Sequence, residues 1–200
     1  MVSVPVRILL VCLLIIVPTV LSTNDQCRQD IKPAKNFQPH RYFQGIWYLT
    51  SAEYTSSGSD LCEESSMEVL PCVDVIRQNV SQYVEFVRRF LHSEVLIFLS
   101  DFDDGLGAYT SIHKDLNKYS PVHQQVQLVT TTIIATDYDN YSVLYTCQNA
   151  PDKTAGNFLI LKHSMYDESK DDEIKEILSD YKVDYSKFKS RNDVNCPKDP

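Results

Sequence analysis

Five side chains in the first half of the chain carry groups from which a recognition site is made: Glu53, Arg77, Tyr83, Glu85 and Arg89. Glu53 ends an alternating run that starts at Gly45. Trp47, Leu49, Ser51 and Glu53 fall on one face of a strand, and Ile46, Tyr48, Thr50 and Ala52 on the other. If the Trp47 face points into a barrel, Glu53 brings a carboxylate to its mouth. Tyr83, Glu85, Val87 and Arg89 alternate in the same way within "SQYVEFVRRFL". An acid framed by aromatics suits a biogenic amine through charge pairing and cation–π contact. An inward Arg89 or Arg77 suits a carboxylate instead. The competing expectation is that these charges stand on the outer face or rim, since a slip of one residue moves every one of them to the other side.

Catalysis has little to work with. The one candidate nucleophile, Cys72, alternates with Glu68, Leu70, Asp74 and Ile76, and neighbouring carboxylates raise a thiol's pKa. No histidine lies near it in sequence, so the chain is not expected to be an enzyme. His92, His113 and His123 fall at turns or strand ends and are expected to be solvated surface groups. No cysteine pair has metal-finger spacing, so no metal is expected.

The elements that must position these residues begin after an N-terminal leader. Arg7 precedes the apolar run Ile8 to Leu21, and Val20-Leu21-Ser22 ends in small-residue fashion, so residues 1–22 read as a cleaved signal peptide and 23–200 as a single domain. Secretion places the remaining cysteines, Cys27, Cys62, Cys72, Cys147 and Cys196, in an oxidising compartment, where five thiols leave one over after two bridges. Asn79-Val-Ser81 and Asn140-Tyr-Ser142 are glycosylation sequons. The net charge is −8, and −9 without Arg7, with 18 basic against 27 acidic residues. That balance argues against nucleic acid and anionic membrane as partners and allows a cationic one.

Past the leader the chain reads as short strands: 44–54, 66–78, 81–91, 94–100, 106–114, 123–139, 141–147 and 156–164, the second and third forming a hairpin. Eight antiparallel strands on short turns make an all-β, up-and-down barrel of the size that holds one small ligand. After Asp167, Ile174, Ile177, Leu178 and Tyr181 recur at i, i+3, i+4 and i+7, which gives one α-helix with an apolar stripe to lay on the outside of the barrel.

Gly45-x-Trp47, then "ATDYDNYSVLYTC" with Thr136-Asp137-Tyr138, then "NFLILKH" and the terminal helix resemble the lipocalins. Within them, "RYFQGIWYLT", "IIATDYDNYSVLYTC" and "FKSRNDVNC" look most like the salivary lipocalins of blood-feeding triatomine bugs, of the triabin and pallidipin type, with apolipoprotein D-like insect lipocalins as near neighbours. The resemblance implies a lipocalin barrel with Gly45, Trp47, Thr136, Asp137 and Tyr138 at its closed base, the segment "NFQPHRYF" across that end, and bridges Cys27–Cys147 and Cys62–Cys196, leaving Cys72. The superfamily often stacks an arginine on this tryptophan. Lys162-His163 stands near that place, so the stacking is expected to be weakened or absent.

Haem, carried by some members of the salivary group, needs a histidine on a strand following Cys62. "VDVIRQNVSQ" has none, so no haem or other cofactor is expected. The resemblance implies a secreted protein that sequesters a small hydrophobic or amphipathic host mediator (an eicosanoid, a biogenic amine or a nucleotide) and so opposes platelet aggregation, vasoconstriction or inflammation. The alternative it allows is a protein partner in plasma: inhibition of a clotting protease through the acidic exterior, with "YDESKDDEIKE" meeting a basic exosite.

Overall fold

A computed structural model describes residues 27–70, 72–117, 126–150 and 153–198. The expected signal peptide and His123 lie outside the described residues. Eight strands make one antiparallel meander: β1 (Gly45–Ala52), β2 (Glu63–Leu70), β3 (Val75–Val84), β4 (Arg89–Phe98), β5 (Ala108–Asp115), β6 (Val126–Thr136), β7 (Tyr141–Ala150) and β8 (Lys153–Lys162). β1 pairs with both β2 and β8, which closes the barrel, and a two-residue β9 (Lys189–Ser190) adds to the edge of β1. A four-residue helix α1 (Pro39–Tyr42) precedes β1, and α2 (Asp171–Ser179) follows β8.

Strand boundaries shift by a few residues in several places, and in one region the turns themselves fall elsewhere than the sequence reading puts them. The chain turns between Leu70 and Val75 and again between Glu85 and Arg88, so the segment 66–78 is broken and the expected break at 78–81 is mid-strand. The apolar alternation runs straight through both turns and conceals them, whereas "QNVS" has a turn-like composition. Asp74 and Arg88, both at positive φ, make the reversals, and the Arg88 amide donates to the Glu85 carbonyl at 3.1 Å.

Two apolar clusters occupy opposite sides of the wall. The inner one contains Trp47, Leu49, Met67, Ile76, Val95, Ile97, Ile133 and Leu144. The outer one joins Tyr141, Val143, Tyr145, Phe158 and Ile160 of β7 and β8 to Ile174 and Leu178 of α2. Those two helix residues are fully buried, which at about 1.5–3 kcal/mol each is the main force holding so short a helix in place. Buried Lys162 tethers its first turn, donating to Asp171 Oδ1 and to the Asp167 carbonyl, each at 2.5 Å.

The base of the barrel is an aromatic plug. Phe37, Tyr42, Phe43, Phe102 and Tyr109 pack ring against ring, and Tyr42 stacks on Trp47 at 5.1 Å between centroids. Trp47 is fully buried, and its indole N–H donates to the Tyr42 carbonyl. Its other face meets the His163 ring at 3.7 Å, with His163 Nδ1 2.7 Å from the Ile46 carbonyl. The expectation of a weakened contact is therefore corrected: Lys162 faces outward to α2, and the next residue, His163, by strand alternation takes the place over the tryptophan.

Thr136, Asp137 and Tyr138 build the turn that abuts this plug. Asp137 Oδ1 accepts the amides of Asp139, Asn140 and Tyr141, hydrogen bonds that hold its pKa below the ordinary carboxylate range against the desolvation of its site. Tyr138, at φ 69°, stacks on Phe37 under the Arg41 guanidinium. Cys27 is bonded to Cys147 and Cys62 to Cys196, the pairs the resemblance implies, and Cys72 is exposed in the β2–β3 turn.

Replacing His163 by Ala removes one face of the Trp47 sandwich and the bond to Ile46, and is expected to cost about 1–2 kcal/mol. His163→Arg, which keeps a planar donor over the indole, is expected to recover most of that. Chemical denaturation of the two variants checks it, and equal losses would show that the ring contact contributes nothing.

Candidate functional site

Closure makes the inner face of each strand countable. From Ile76, Val95, Tyr109 and Ile133 at the packed base, the same faces run up through Val80 and Gln82 on β3, Ser93 and Leu91 on β4, Ser111, His113 and Asp115 on β5, and Val129 and Gln127 on β6. Polarity rises along this path. The aromatic plug fills the bottom, and the open space is a cavity of about 210 Å³ at the mouth, lined by Gln82, Leu91, Ser93, His113, Asp115, Asn117 and Gln127 together with His92.

Its polar groups are held by one another. Asp115 accepts both the backbone N–H of Asn117, at 2.8 Å, and the Asn117 side-chain amide. Asn117 Nδ2 also donates to the His92 carbonyl at 3.3 Å, and its Oδ1 accepts from the His92 amide. The buried Ser111 hydroxyl lies 3.2 Å from the Val129 carbonyl and 2.9 Å from His113 Nε2. A carbonyl only accepts, so the hydroxyl proton goes to Val129, and His113 must then carry its proton on Nε2, leaving the Nδ1 lone pair unprotonated. Burial pushes the His113 pKa down, which keeps the ring neutral at neutral pH. Among the described residues, the cavity lining therefore contains a carboxylate, amides and a neutral imidazole, and neither lysine nor arginine.

Glu63, across the β2–β3 ladder from Gln82, also takes an inward position. Desolvation pushes its carboxyl up to about 7, against the pull of Arg191 and with Asp60 adding to the rise. Arg191 is itself buried and donates to the carbonyls of Leu61, at 2.6 Å, and Glu63, at 2.9 Å.

The structure does not gather the five side chains singled out in the sequence. A β-bulge between Leu49 and Ser51 shifts the β1–β8 register. Trp47, Leu49 and Ala52 therefore belong to the inner cluster, while Ser51 turns outward to Tyr185 at 3.2 Å. Glu53 follows Ser51 to the outside, where its charge acts on Arg28. This corrects the expectation that Glu53 shares the Trp47 face.

Tyr83 is on the outer wall against Phe90, 5.3 Å between ring centroids. Arg77 is outside too, ion-paired with Glu68. Glu85 lies exposed in the β3–β4 turn, and Arg89 is exposed at the start of β4. His92 is exposed as expected, whereas His113 is not a surface histidine but lines the cavity. "AYTSIHKD" does alternate Tyr109, Ser111, His113 and Asp115 on one face, so its pattern was available. What the sequence lacked was any sign of which face was the inner one. Asn79 is exposed on the outer wall of β3, and Asn140 is exposed in the β6–β7 turn, donating to Asp137 at 2.7 Å.

A family model described as nitrophorin matches residues 27–200 of the chain. Triafestin-2 of Triatoma infestans is 27% identical over 179 residues, which cover 82% of this chain and 80% of that protein. Among solved structures, a biogenic amine-binding protein superposes with a TM-score of 0.74 at 20% identity, covering 86% of this chain and 91% of the other. Insecticyanin from the tobacco hornworm Manduca sexta superposes with a TM-score of 0.61 at 20% identity, covering 80% and 83%.

Glu63 makes stability depend on pH. The unfolded chain loses this proton near 4.5, whereas the folded chain keeps it to about 7. Between these values the folded state binds more protons, so stability falls as pH rises through that window and levels off above it. Glu63→Gln removes this penalty, and is expected to gain about 2 kcal/mol on the native chain between pH 4 and pH 8, solvent in the lumen screening part of the full shift. Urea titrations at the two pH values measure it, and a gap that does not widen with pH would sink the assignment.

Proposed function

The chain belongs to the nitrophorin family and is a lipocalin of the triatomine salivary type, and from that premise we propose that it is secreted and sequesters a small cationic amine in the mouth of its barrel. The single observation that carries this reading is the composition of the cavity, with Asp115 held in place by Asn117, a neutral His113, and no basic side chain among the described residues of the lining. A protonated amine entering such a site finds a carboxylate and oriented acceptors at low dielectric, while Leu91 offers apolar contact to its ring or chain. A fatty-acid carboxylate would be placed against Asp115 without a cation among the described lining residues to meet it. The structural relative of Rhodnius prolixus solved with tryptamine, similar at a TM-score of 0.72 and 20% identity, is consonant with this choice.

The role that follows is removal of a host amine, which would oppose platelet aggregation, vasoconstriction or inflammation at the site of a bite. Binding, not catalysis, is the activity proposed. Haem has no place in it. The inward positions of β3 are Ile76, Gln78, Val80 and Gln82, and the inward histidine among the described residues, His113, has its Nε2 engaged by Ser111 in a cavity of about 210 Å³. These residues do not fit an axially ligated haem. Asn79 and Asn140, both exposed, are proposed to carry glycans.

The alternative, inhibition of a clotting protease through the acidic surface, draws less support from α2. Asp171 is paired with Lys162, Asp172 with Lys175 and Glu173 with Lys170, so much of the charge of "KDDEIKE" is already neutralised within the chain.

Calorimetric titration with tryptamine, histamine and serotonin is expected to show one site, and Asp115→Asn to weaken it by about tenfold or more, the loss of one charge-assisted bond. A fatty acid or eicosanoid that bound instead, or amine affinity unchanged in the variant, would overturn the reading.

A further inference from the structure

A second hollow lies on the outside of the barrel, beside the C-terminal segment. Ser65 is buried opposite Trp47, so its neighbour Glu64 faces outward, and Phe90 packs on Tyr83 of the outer wall. Between this wall and residues 191–198 is an open cleft of about 300 Å³. Phe90, Met165, Tyr166, Pro197 and the Cys62–Cys196 bridge give it apolar sides, and its charged groups are Arg191, Lys198 and Glu64. It shares no described lining residue with the mouth cavity.

Arg191 is the group that the fold leaves incomplete. Its side chain is buried, yet among the described residues it meets no carboxylate, and its hydrogen bonds run from Nη1 to the Leu61 and Glu63 carbonyls. Nε is buried with no hydrogen-bond partner among the described residues. Nε and Nη2 together form the edge of a guanidinium that meets the two oxygens of a carboxylate. Desolvation pulls the Arg191 pKa below the ordinary arginine value, in spite of the phenols and carboxylates nearby, as expected of a buried cation short of compensation. The group is nevertheless held in place. Its guanidinium lies over the Tyr48 ring, 5.7 Å from the centroid. Just before it Ser190 pairs with Ser51 of β1, and the Ser190 hydroxyl accepts the Asn192 amide to start the turn.

We propose that this cleft is a second binding site, one that takes a small aromatic carboxylate with its carboxyl group on Arg191 and its ring against Phe90, Met165 and Tyr166. It is independent of the amine in the mouth. Arg191 and Lys198 against Glu64 leave the cleft one positive charge in a chain of net −8. That suits a monoanion, whereas Glu64 repels the second charge of a phosphate. Two aromatic rings and a thioether favour a flat apolar body. A volume of about 300 Å³ is at the small end for ligand sites, so a fused ring with a short acidic arm fits better than a long chain.

Indole-3-acetate and tryptamine carry the same ring with opposite charges, so together they separate the two sites. Calorimetric titration of the full chain with indole-3-acetate is expected to show one site with a Kd on the order of 0.1 mM, unchanged when tryptamine is present in excess. Arg191→Lys, which keeps the charge and loses the two-donor edge, should weaken it by about tenfold or more with an unchanged circular-dichroism spectrum. Because Arg191 also ties the C-terminal segment to β2, two exposed or half-buried positions serve as the second measurement. Lys198→Ala should weaken binding about threefold and Glu64→Gln should tighten it about threefold, opposite signs that a purely structural Arg191 would not produce. No binding at ten times the expected Kd overturns the proposal, as does displacement by tryptamine, which would put the carboxylate in the lumen. Inorganic phosphate binding more tightly than indole-3-acetate overturns it too, as does an affinity that neither Lys198→Ala nor Glu64→Gln moves. Loss of tryptamine binding alone bears on the mouth cavity and leaves this site standing.

Discussion

Closure of the barrel through β1 is the constraint on which the other features depend. β1 hydrogen-bonds β2 on one side and β8 on the other, so no strand can slide without breaking a ladder elsewhere, and each side chain is committed to one face. Given that commitment, the inner positions sort themselves by depth. Large apolar groups collect where the base is sealed, and small polar ones collect where water can reach. The same commitment on β7 and β8 makes both faces apolar, because one meets the lumen and the other meets α2.

The seal at the base and the opening at the mouth are two ends of one design. Trp47, held between Tyr42 and His163, fixes the bottom of β1 and leaves no room for a ligand there. The cavity is therefore displaced upward to a ring of polar groups whose positions are set by mutual hydrogen bonds. Glu63 shows the cost of putting acids on an inner face: its carboxyl resists ionisation where Arg191 gives it only partial compensation.

How much of this was legible differs by residue. The strand count and the apolar stripe on α2 follow from alternation and helical periodicity, which are local, while the plug role of Trp47 came with the family resemblance. The turns at 72–74 and 85–88 were hidden because Val73, Phe86 and Val87 are apolar yet exposed, so hydrophobicity gave the wrong cue. His163 was not legible as the partner of Trp47 because the resemblance points to an arginine at that place. Asp115 and His113 alternate visibly with Tyr109, but the sequence offered equal reason to favour Glu53 or Arg89.

The sequence by itself determined the fold class, the number of strands and the outer helix, since each follows from the period of apolar residues along the chain. The cysteine pairs came with the family resemblance. Which polar groups face the lumen was decided only by tertiary structure. A single bulge between Leu49 and Ser51, visible only when β1 is laid against β8, turns Glu53 outward. With a side-chain period of two, one inserted residue reverses every assignment downstream of it.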